Sequence, residues 1–451
     1  MNLKDKKVAV IGMGNSGVNA ACLLRDIGAN VYVTEAADTT QIRSAADKLK
    51  NRWIAVEIGG HTKDFIARSE LAVVSPGVED SSPAIRWAKE LAIPVISELE
   101  LGFKHCKGKI IAITGTNGKS TVASLVGDIL KRGGKDTVIC GNIGNCLCGE
   151  ISRIRDDTWV VLEVSSFQLE KITDFKPHIA LILNITDDHL DRYRKFEDYF
   201  KEKLKIFANQ EKGDILILNY DAGNLRDLKE RARSRVLFYS KSEKVAGAYA
   251  KGDDIFSSFD GKASKAGSVR GMALKGIHNL ENAIASSLIG ALVGVRKEAI
   301  TDAIINFNGL SHRFETVDVI GGVEYIDDSK GTTVDSTYRA LESCARGVVL
   351  IAGGKDKNSD YTVIRDLMKR KVKYLILIGE AKARIREALG SVVKICEAKD
   401  MRDAVDAANT LANDGDIVLL SPMCSSFDMF KNYKERGDNF KTAVRSLKSS
   451  F

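Results

Sequence analysis

No stretch of this sequence approaches the roughly 20 consecutive apolar residues that cross a bilayer. The longest apolar runs, such as VKYLILIG around Leu377, are of strand size, so no membrane span is expected. The opening MNLKDKKVAVIGMG enters a strand pattern almost at once and lacks an apolar core with small cleavage-site residues behind it. Export is therefore not expected, and a cytoplasmic location is. Paired CxxC spacings are missing as well. The eight cysteines (Cys22, Cys106, Cys140, Cys146, Cys148, Cys344, Cys396 and Cys424) are scattered, and the three that lie close together lack the spacing of a zinc site, so they read as reduced thiols. There is also no arginine-rich or basic-aromatic stripe. The 67 Lys and Arg residues against 60 Asp and Glu give a net charge of +7, with acids interspersed almost everywhere. That balance argues against a nucleic-acid face and leaves a general attraction for small anions.

What is present is the composition of a globular protein, 44% hydrophobic and 28% charged, in a chain of 451 residues. That is too long for one core. Three segments repeat one plan, an apolar run, a glycine turn and then a helical pattern: KKVAVIGMGNSG from Lys6, GKIIAITGTNGKST from Gly108 and RGVVLIAGGKDKN from Arg346. Strands covered by helices on both faces are apolar throughout, so each run fits the first strand of an α/β unit. The expected fold class is α/β with three domains in series, residues 1–104, 105–310 and 311–451. The first and last are expected to be Rossmann-like, and the central one a P-loop ATPase-type mononucleotide-binding domain. The stretch from Lys244 to Lys275, rich in Gly, Ser, Ala and Lys, reads as short strands and loops within the middle domain.

Gly12, Gly14 and Gly17 complete a GxGxxG between a strand and a helix, and Glu35 closes the next strand, VYVTE. Such glycines allow a tight turn and close approach, a helix N-terminus receives a diphosphate, and the acidic residue suits a ribose hydroxyl. Gly14, Asn15, Ser16 and Glu35 are thus candidate ligand contacts, and Ser75 and Gly77 end a further strand at the same sheet edge. The pattern does not distinguish NAD from a UDP-sugar, and a nicotinamide-dependent oxidoreductase is the rival it leaves open.

In IIAITGTNGKST the two glycines of the phosphate loop are only three residues apart, shorter than GxxxxGK[ST]. The backbone amides of Thr116 to Thr121 can still cradle phosphate between Gly115, Gly118 and the helix that follows. Lys119 supplies a charge and Ser120 or Thr121 a hydroxyl for Mg²⁺. Glu163 ends the apolar strand of WVVLEVSS, where a carboxylate is costly unless it serves a cation. Asp187, Asp188 and His189 follow another strand. In KFEDYFKEKLKIF the residues Phe196, Tyr199, Phe200, Leu204 and Phe207 form one apolar stripe at about 100° per residue, and Lys203 falls in its middle. Lys203 is either a snorkelling lysine or one held inward beside a metal.

Taken in order, GTNGKST, LEVSSFQLE, NITDDHLDRY, HNLENAIAS, HRFE, DDSKGTT and SPMCSSFDMFKNYKERGDNF resemble the motifs of the Mur ligase family across all three domains. Members join an amino acid to a growing peptidoglycan precursor with ATP. The resemblance implies ATP held by Gly115 to Thr121, Asn279, Asn282, Arg313, Asp328 and Lys330. It implies Mg²⁺, at two sites, held by Ser120, Thr121, Glu163, His189 and a carbamylated Lys203. Lys119, Glu163, His189 and Lys203 would be the catalytic set. Asn142, Ser165 and Gln168 would face the muramoyl substrate. Thr332, Lys357, Ser426, Phe427 and Tyr433 match the site of the branch that adds D-glutamate to UDP-N-acetylmuramoyl-L-alanine; another amino acid is the alternative. The DNPR motif of the diaminopimelate-adding branch is absent. No nucleic-acid or membrane partner is expected, and a monomer is.

Overall fold

The computed structural model describes residues 1–188, 192–193, 195–259, 261–274, 276–344 and 347–448. Their strands form three sheets. The first is built from β1 (Lys7–Ile11), β2 (Asn30–Glu35), β3 (Ala55–Ile58), β4 (Leu71–Val74) and β5 (Val95–Ser97), in the order β3-β2-β1-β4-β5. All its pairings are parallel. This is the doubly wound order 3-2-1-4-5 of a Rossmann-like domain. Val8 and Val10 face one core and Ala9 and Ile11 the other, which is why the run is apolar at every position.

The second sheet runs through β6 (Lys109–Thr114), β7 (Thr137–Gly141), β8 (Trp159–Glu163), β9 (Ile179–Ile182), β10 (Ile215–Asn219), β11 (Arg235–Ser240), β12 (Gly247–Lys251), β13 (Asp254–Ser258) and β14 (Ser264–Ser268). Its order is β14-β13-β12-β11-β10-β9-β6-β8-β7. The glycine- and serine-rich stretch from residue 244 supplies the last three strands, antiparallel hairpins added to the edge. The third sheet contains β15 (Glu315–Ile320), β16 (Val323–Asp327), β17 (Val348–Gly353), β18 (Val372–Ile378), β19 (Lys394–Glu397) and β20 (Ile417–Leu420), ordered β15-β16-β20-β17-β18-β19. Strands β17 to β20 are wound as in a Rossmann-like domain, and β15 pairs antiparallel with β16.

The chain gathers into two compact bodies, one of residues 1–185, 199–270 and 283–304, the other of 186–198, 271–282 and 305–451. The first body therefore holds two sheets, and the helix Glu98–His105 joins them. The carboxylate of Glu100, almost fully buried, accepts the backbone N–H groups of Thr173, Asp174 and Phe175, each at 3.0 Å. Glu98 Oε1 accepts the N–H of Cys148 at 2.8 Å, and Phe103 meets Phe175 edge to face at 5.5 Å. Among the described residues no helix is long and apolar enough to cross a membrane.

Candidate functional site

In each sheet the candidate residues stand at the carboxyl ends of parallel strands, where open α/β sheets bind ligands. In the first, the loop after β1 leads from Gly12 into the helix Asn15–Asp26. A methyl group on Gly17 would overlap the Gly12 carbonyl oxygen and come 2.8 Å from Ser75 Oγ, so the helix can pack this closely only with glycine there. Ser75 Oγ donates to that same carbonyl at 3.1 Å, tying the two loops together. Glu35 accepts the N–H of Met13 at 2.7 Å and of Ala37 at 2.9 Å. Both its oxygens thus shape the loop, in addition to any ligand they meet. Gly14, at the N-cap, and Gly77 border open space. Gly14 and Asn15 are exposed and Ser16 half-buried, so the helix N-terminus stands open to an anion.

The phosphate loop leaves β6 and starts the helix Lys119–Arg132 at Gly118. Asn184, just beyond β9, clasps it. The Asn184 carbonyl accepts the N–H of Thr116 at 2.8 Å, its Oδ1 accepts the N–H of Asn117 at 2.9 Å, and its Nδ2 donates to the Asn117 carbonyl at 3.2 Å. The sequence reading gave the amides of Thr116 and Asn117 to phosphate. They are engaged by Asn184, which narrows the amide cradle to the first helical turn, whose N–H groups have no intrahelical acceptor. Ser120 and Thr121 are buried in that turn.

Two lysines converge on this loop. Lys119 Nζ donates to the carbonyls of Gly115 at 2.8 Å and Thr116 at 2.7 Å. Lys203 Nζ donates to the same Gly115 carbonyl at 2.8 Å and lies 4.7 Å from the centre of the Tyr199 ring. Lys203 is only 2% exposed, so it is held inward rather than snorkelling. Tyr199 is hydrogen-bonded to Thr116 Oγ1 at 3.1 Å. Register places Glu163 opposite Ile113, at the foot of the loop. Glu163, 1% exposed, accepts from Asn142 Nδ2 at 2.8 Å. Ser165 and Gln168 form a reciprocal capping box, with the Ser165 N–H donating to Gln168 Oε1 at 2.9 Å. Their first task is thus to fix the turn after Glu163.

The second body holds the rest. Asn282 Nδ2 donates to Asn279 Oδ1 at 3.3 Å, and near Asn279 a cavity of about 430 Å³ is lined by Phe314, Ile326 and Ser343. Asp328 accepts from Ser421 Oγ at 2.8 Å and from the Phe314 N–H at 3.3 Å. Desolvation pushes its carboxyl up to about 7, against the pull of Ser421 and of the Arg313 charge. Lys330 Nζ lies 4.9 Å from the Tyr433 ring centre. Thr332 is half-buried and Ser426 buried, while Phe427 is 70% exposed. Lys357 Nζ lies 3.4 Å from Asp188 Oδ1. His189 falls outside the described residues.

Behind these residues lies a polar network that the motifs did not reveal. His312 Nδ1 is 2.8 Å from Asp327 Oδ2, and Lys441 Nζ is 2.7 Å from Glu315 Oε2. Arg436, fully buried, donates to the carbonyls of Ser329 at 2.8 Å, Cys424 at 3.1 Å and Ser425 at 3.2 Å. It thereby staples the loop carrying Lys330 to the loop carrying Ser426. Burial brings its guanidinium down to about 10. His312, Glu315, Asp327 and Arg436 lie within the quoted motifs HRFE, DDSKGTT and YKERGDNF, but nothing in those motifs says which side chains pair.

Three sheets with a glycine turn, a phosphate loop and strand-end residues in this series are the architecture of a nucleotide-binding three-domain α/β protein, and the chain belongs to the Mur ligase family. It matches "Mur ligase MurD-like, N-terminal domain" over residues 6–97, "Mur ligase middle domain" over 113–290 and "Mur ligase, glutamate ligase domain" over 312–424. A UDP-N-acetylmuramoylalanine--D-glutamate ligase of Koribacter versatilis is 43% identical over 448 residues, covering 99% of each chain. The enzyme of that name from Geotalea daltonii is 42% identical, again over 99% of each. Among solved structures, the MurF ligase of Thermotoga maritima in complex with ADP aligns over 99% of this chain and 100% of its own, with a TM-score of 0.62 at 13% identity. The UDP-N-acetylmuramate-alanine ligase MurC of the same organism gives 0.60 at 18% identity, over 99% and 100%. At those identities the likeness is one of fold.

Proposed function

We propose that this chain joins the amine of D-glutamate to the alanyl carboxylate of UDP-N-acetylmuramoyl-L-alanine, cleaving ATP to ADP and phosphate, in the cytoplasm and as a monomer. The observation that carries this reading is the meeting of Lys119 and Lys203 on the Gly115 carbonyl, each at 2.8 Å. Two ammonium groups on one oxygen repel each other, and a site so arranged favours an incoming polyanion or the conversion of one lysine to an anion. Carbamylation of Lys203 does the latter: the ammonium gives up two protons to solvent as Nζ adds to CO₂, leaving an N–H carbamate anion in place of a buried cation.

The donors suit a magnesium ion. Glu163, the Ser120 and Thr121 hydroxyls and a carbamate on Lys203 are hard oxygen ligands, with His189 as a further candidate, and a carboxylate as buried as Glu163 is stable beside a cation. When bound, Mg²⁺, at one or two sites, would offset charge on the phosphate oxygens. Lys119 releases the Gly115 and Thr116 carbonyls to meet the terminal phosphates, and the first turn of its helix donates N–H groups to them. Asn279, Asn282, Arg313, Asp328 and Lys330 complete the ATP contacts. Gly14, Asn15, Ser16, Glu35, Ser75 and Gly77 hold the UDP end, and Asn142 with the turn at Ser165 and Gln168 presents the alanyl carboxylate.

An attacking carboxylate oxygen takes the γ-phosphoryl group, giving an acyl phosphate whose phosphate can leave where an oxide cannot. The D-glutamate amine, held through its carboxylates by Thr332, Lys357, Ser426 and Tyr433 with Phe427 alongside, adds to the acyl carbon. Collapse expels phosphate and leaves the amide. Excluding water matters because it would compete for the acyl phosphate. We divide the chain at 104/105 and 310/311, a reading supported by the end of the helix Glu98–His105 and by the start of β15 at Glu315.

The test is phosphate release measured with each substrate omitted in turn. Release should require both UDP-N-acetylmuramoyl-L-alanine and D-glutamate, and equal release without either refutes the proposal. L-glutamate and other amino acids in place of D-glutamate read the selectivity.

A further inference from the structure

We infer that Tyr433 is a positioning residue for Lys330, holding its ammonium where ATP phosphate is received; this rests on the functional reading above. Lys330 Nζ lies 4.9 Å from the ring centre, within reach of the negative face of the aromatic quadrupole. The ring also meets His312 edge to face, at 6.2 Å and 81°.

His312 is firmly anchored. Its Nδ1 is bound to Asp327 Oδ2 at 2.8 Å, its N–H donates to Glu315 Oε2 at 2.7 Å, and its carbonyl accepts the Lys330 N–H at 3.1 Å. The backbone under Tyr433 is fixed too. Asn432 caps the helix Tyr433–Leu447, its Oδ1 accepting the N–H groups of Lys434 and Glu435, both at 3.0 Å. A lysine is a point charge on a four-carbon stem with many rotamers. A ring held from below and from the side selects those that keep the ammonium over its face. The buried Asp327–His312 pair thus sets, through Tyr433, the position of a cation at the surface of the site. Tyr433 also borders the proposed D-glutamate site, so one side chain links amino-acid binding to phosphate binding.

The test is a double-mutant cycle on the full chain, reading KM for ATP and for D-glutamate in Lys330→Ala, Tyr433→Leu, Tyr433→Phe and the Lys330→Ala/Tyr433→Leu double variant. Tyr433→Leu should raise KM for ATP by roughly three- to tenfold, the size of a partly exposed cation–π contact. The double variant should be no worse for ATP than Lys330→Ala alone. Tyr433→Phe, which keeps the ring, should stay within about twofold of the native KM for ATP. The inference is overturned if Tyr433→Leu affects KM for D-glutamate alone, if the two losses multiply, or, should the leucine variant not fold, if Tyr433→Phe by itself loses ATP affinity. If the native chain shows no amino-acid-dependent phosphate release, the functional reading fails separately. The same cycle is then read as dissociation constants for the non-hydrolysable analogue AMPPNP, where independent effects refute the pairing and coupled effects sustain it.

Discussion

Replacing Gly437 by alanine sets two effects of opposite sign against each other. In an unobstructed helix interior the change stabilises by about 1 kcal/mol. At Gly437, inside the helix Tyr433–Leu447, the added methyl would stand 2.5 Å from Ser329 Oγ and 2.6 Å from Asp327 Oδ2, and nearer still to His312 Nδ1. The Ser329 hydroxyl can rotate away, but the other two cannot readily retreat. Asp327 holds His312 at 2.8 Å through one oxygen and the Ser329 N–H at 2.8 Å through the other. Overpacking costs about 1–3 kcal/mol, and losing the His312–Asp327 bond about 1.5–3 kcal/mol more. The net expectation is a destabilisation of about 1.5–5 kcal/mol after the helix gain is subtracted. Differential scanning calorimetry of the full chain reads it as a midpoint lowered by several degrees in the transition that includes the third sheet. Gly223→Ala is the control, because a methyl there meets nothing within 4 Å. An unchanged or raised midpoint in Gly437→Ala would refute the close-approach argument.

The pH dependence of stability should carry the mark of Asp328, whose carboxyl is raised from 3.8 to about 7. Between those values the folded chain keeps a proton that the unfolded chain has lost, so Asp328 weakens the fold by about 1.4 kcal/mol per pH unit as pH rises through this window. Urea titrations of the native chain and Asp328→Asn should therefore diverge between about pH 4 and 7, the native chain losing ground as pH rises; parallel curves contradict the assignment. Glu100→Ala would strand three backbone N–H groups, and the melting point should fall by an amount corresponding to about 2–4 kcal/mol; a shift of under a degree would mean that water replaces the carboxylate. Lys203→Ala should lose amide formation that added bicarbonate does not restore and that acetate or propionate partly does. Full activity in that variant would remove the carbamate.

The parts of the fold that the sequence made legible are those where local pattern and tertiary role coincide. The apolar runs at Val8, Ile110 and Val348 are strands whose two faces are both covered, and their shortness, β-branched content and following glycines set them apart from buried helix segments. The stripe through Tyr199 and Leu204 placed Lys203 on the buried face but left a snorkelling ammonium open, and only its burial in the fold decides for the inward one. What stayed hidden depends on distant chain segments. Nothing local marks Asn184 as the clasp of a loop 67 residues earlier, or Arg436 as a staple between two loops of the third sheet. The capping box of Gln168 does have a local mark, Ser165 three residues before it, but nothing local says that Glu35 gives an oxygen to the N–H of Met13, 22 residues earlier. Side chains of this kind are chosen by long-range geometry, and their neighbours in sequence carry no trace of the choice.

The grip of Glu98 and Glu100 has a bearing on how relatives of this family can be recombined. A crossover placed between β5 and β6 by sequence alone could fall on either side of the helix Glu98–His105, yet the two choices are unlike. Cutting before Glu98 sends the helix along with the amides of Thr173 to Phe175 and the Phe175 ring that it was shaped against. Cutting after His105 pairs one parent's carboxylates with the other parent's turn. Chimeras should therefore inherit residues 98–105 and 173–175 from the same parent, whichever parent supplies the first sheet.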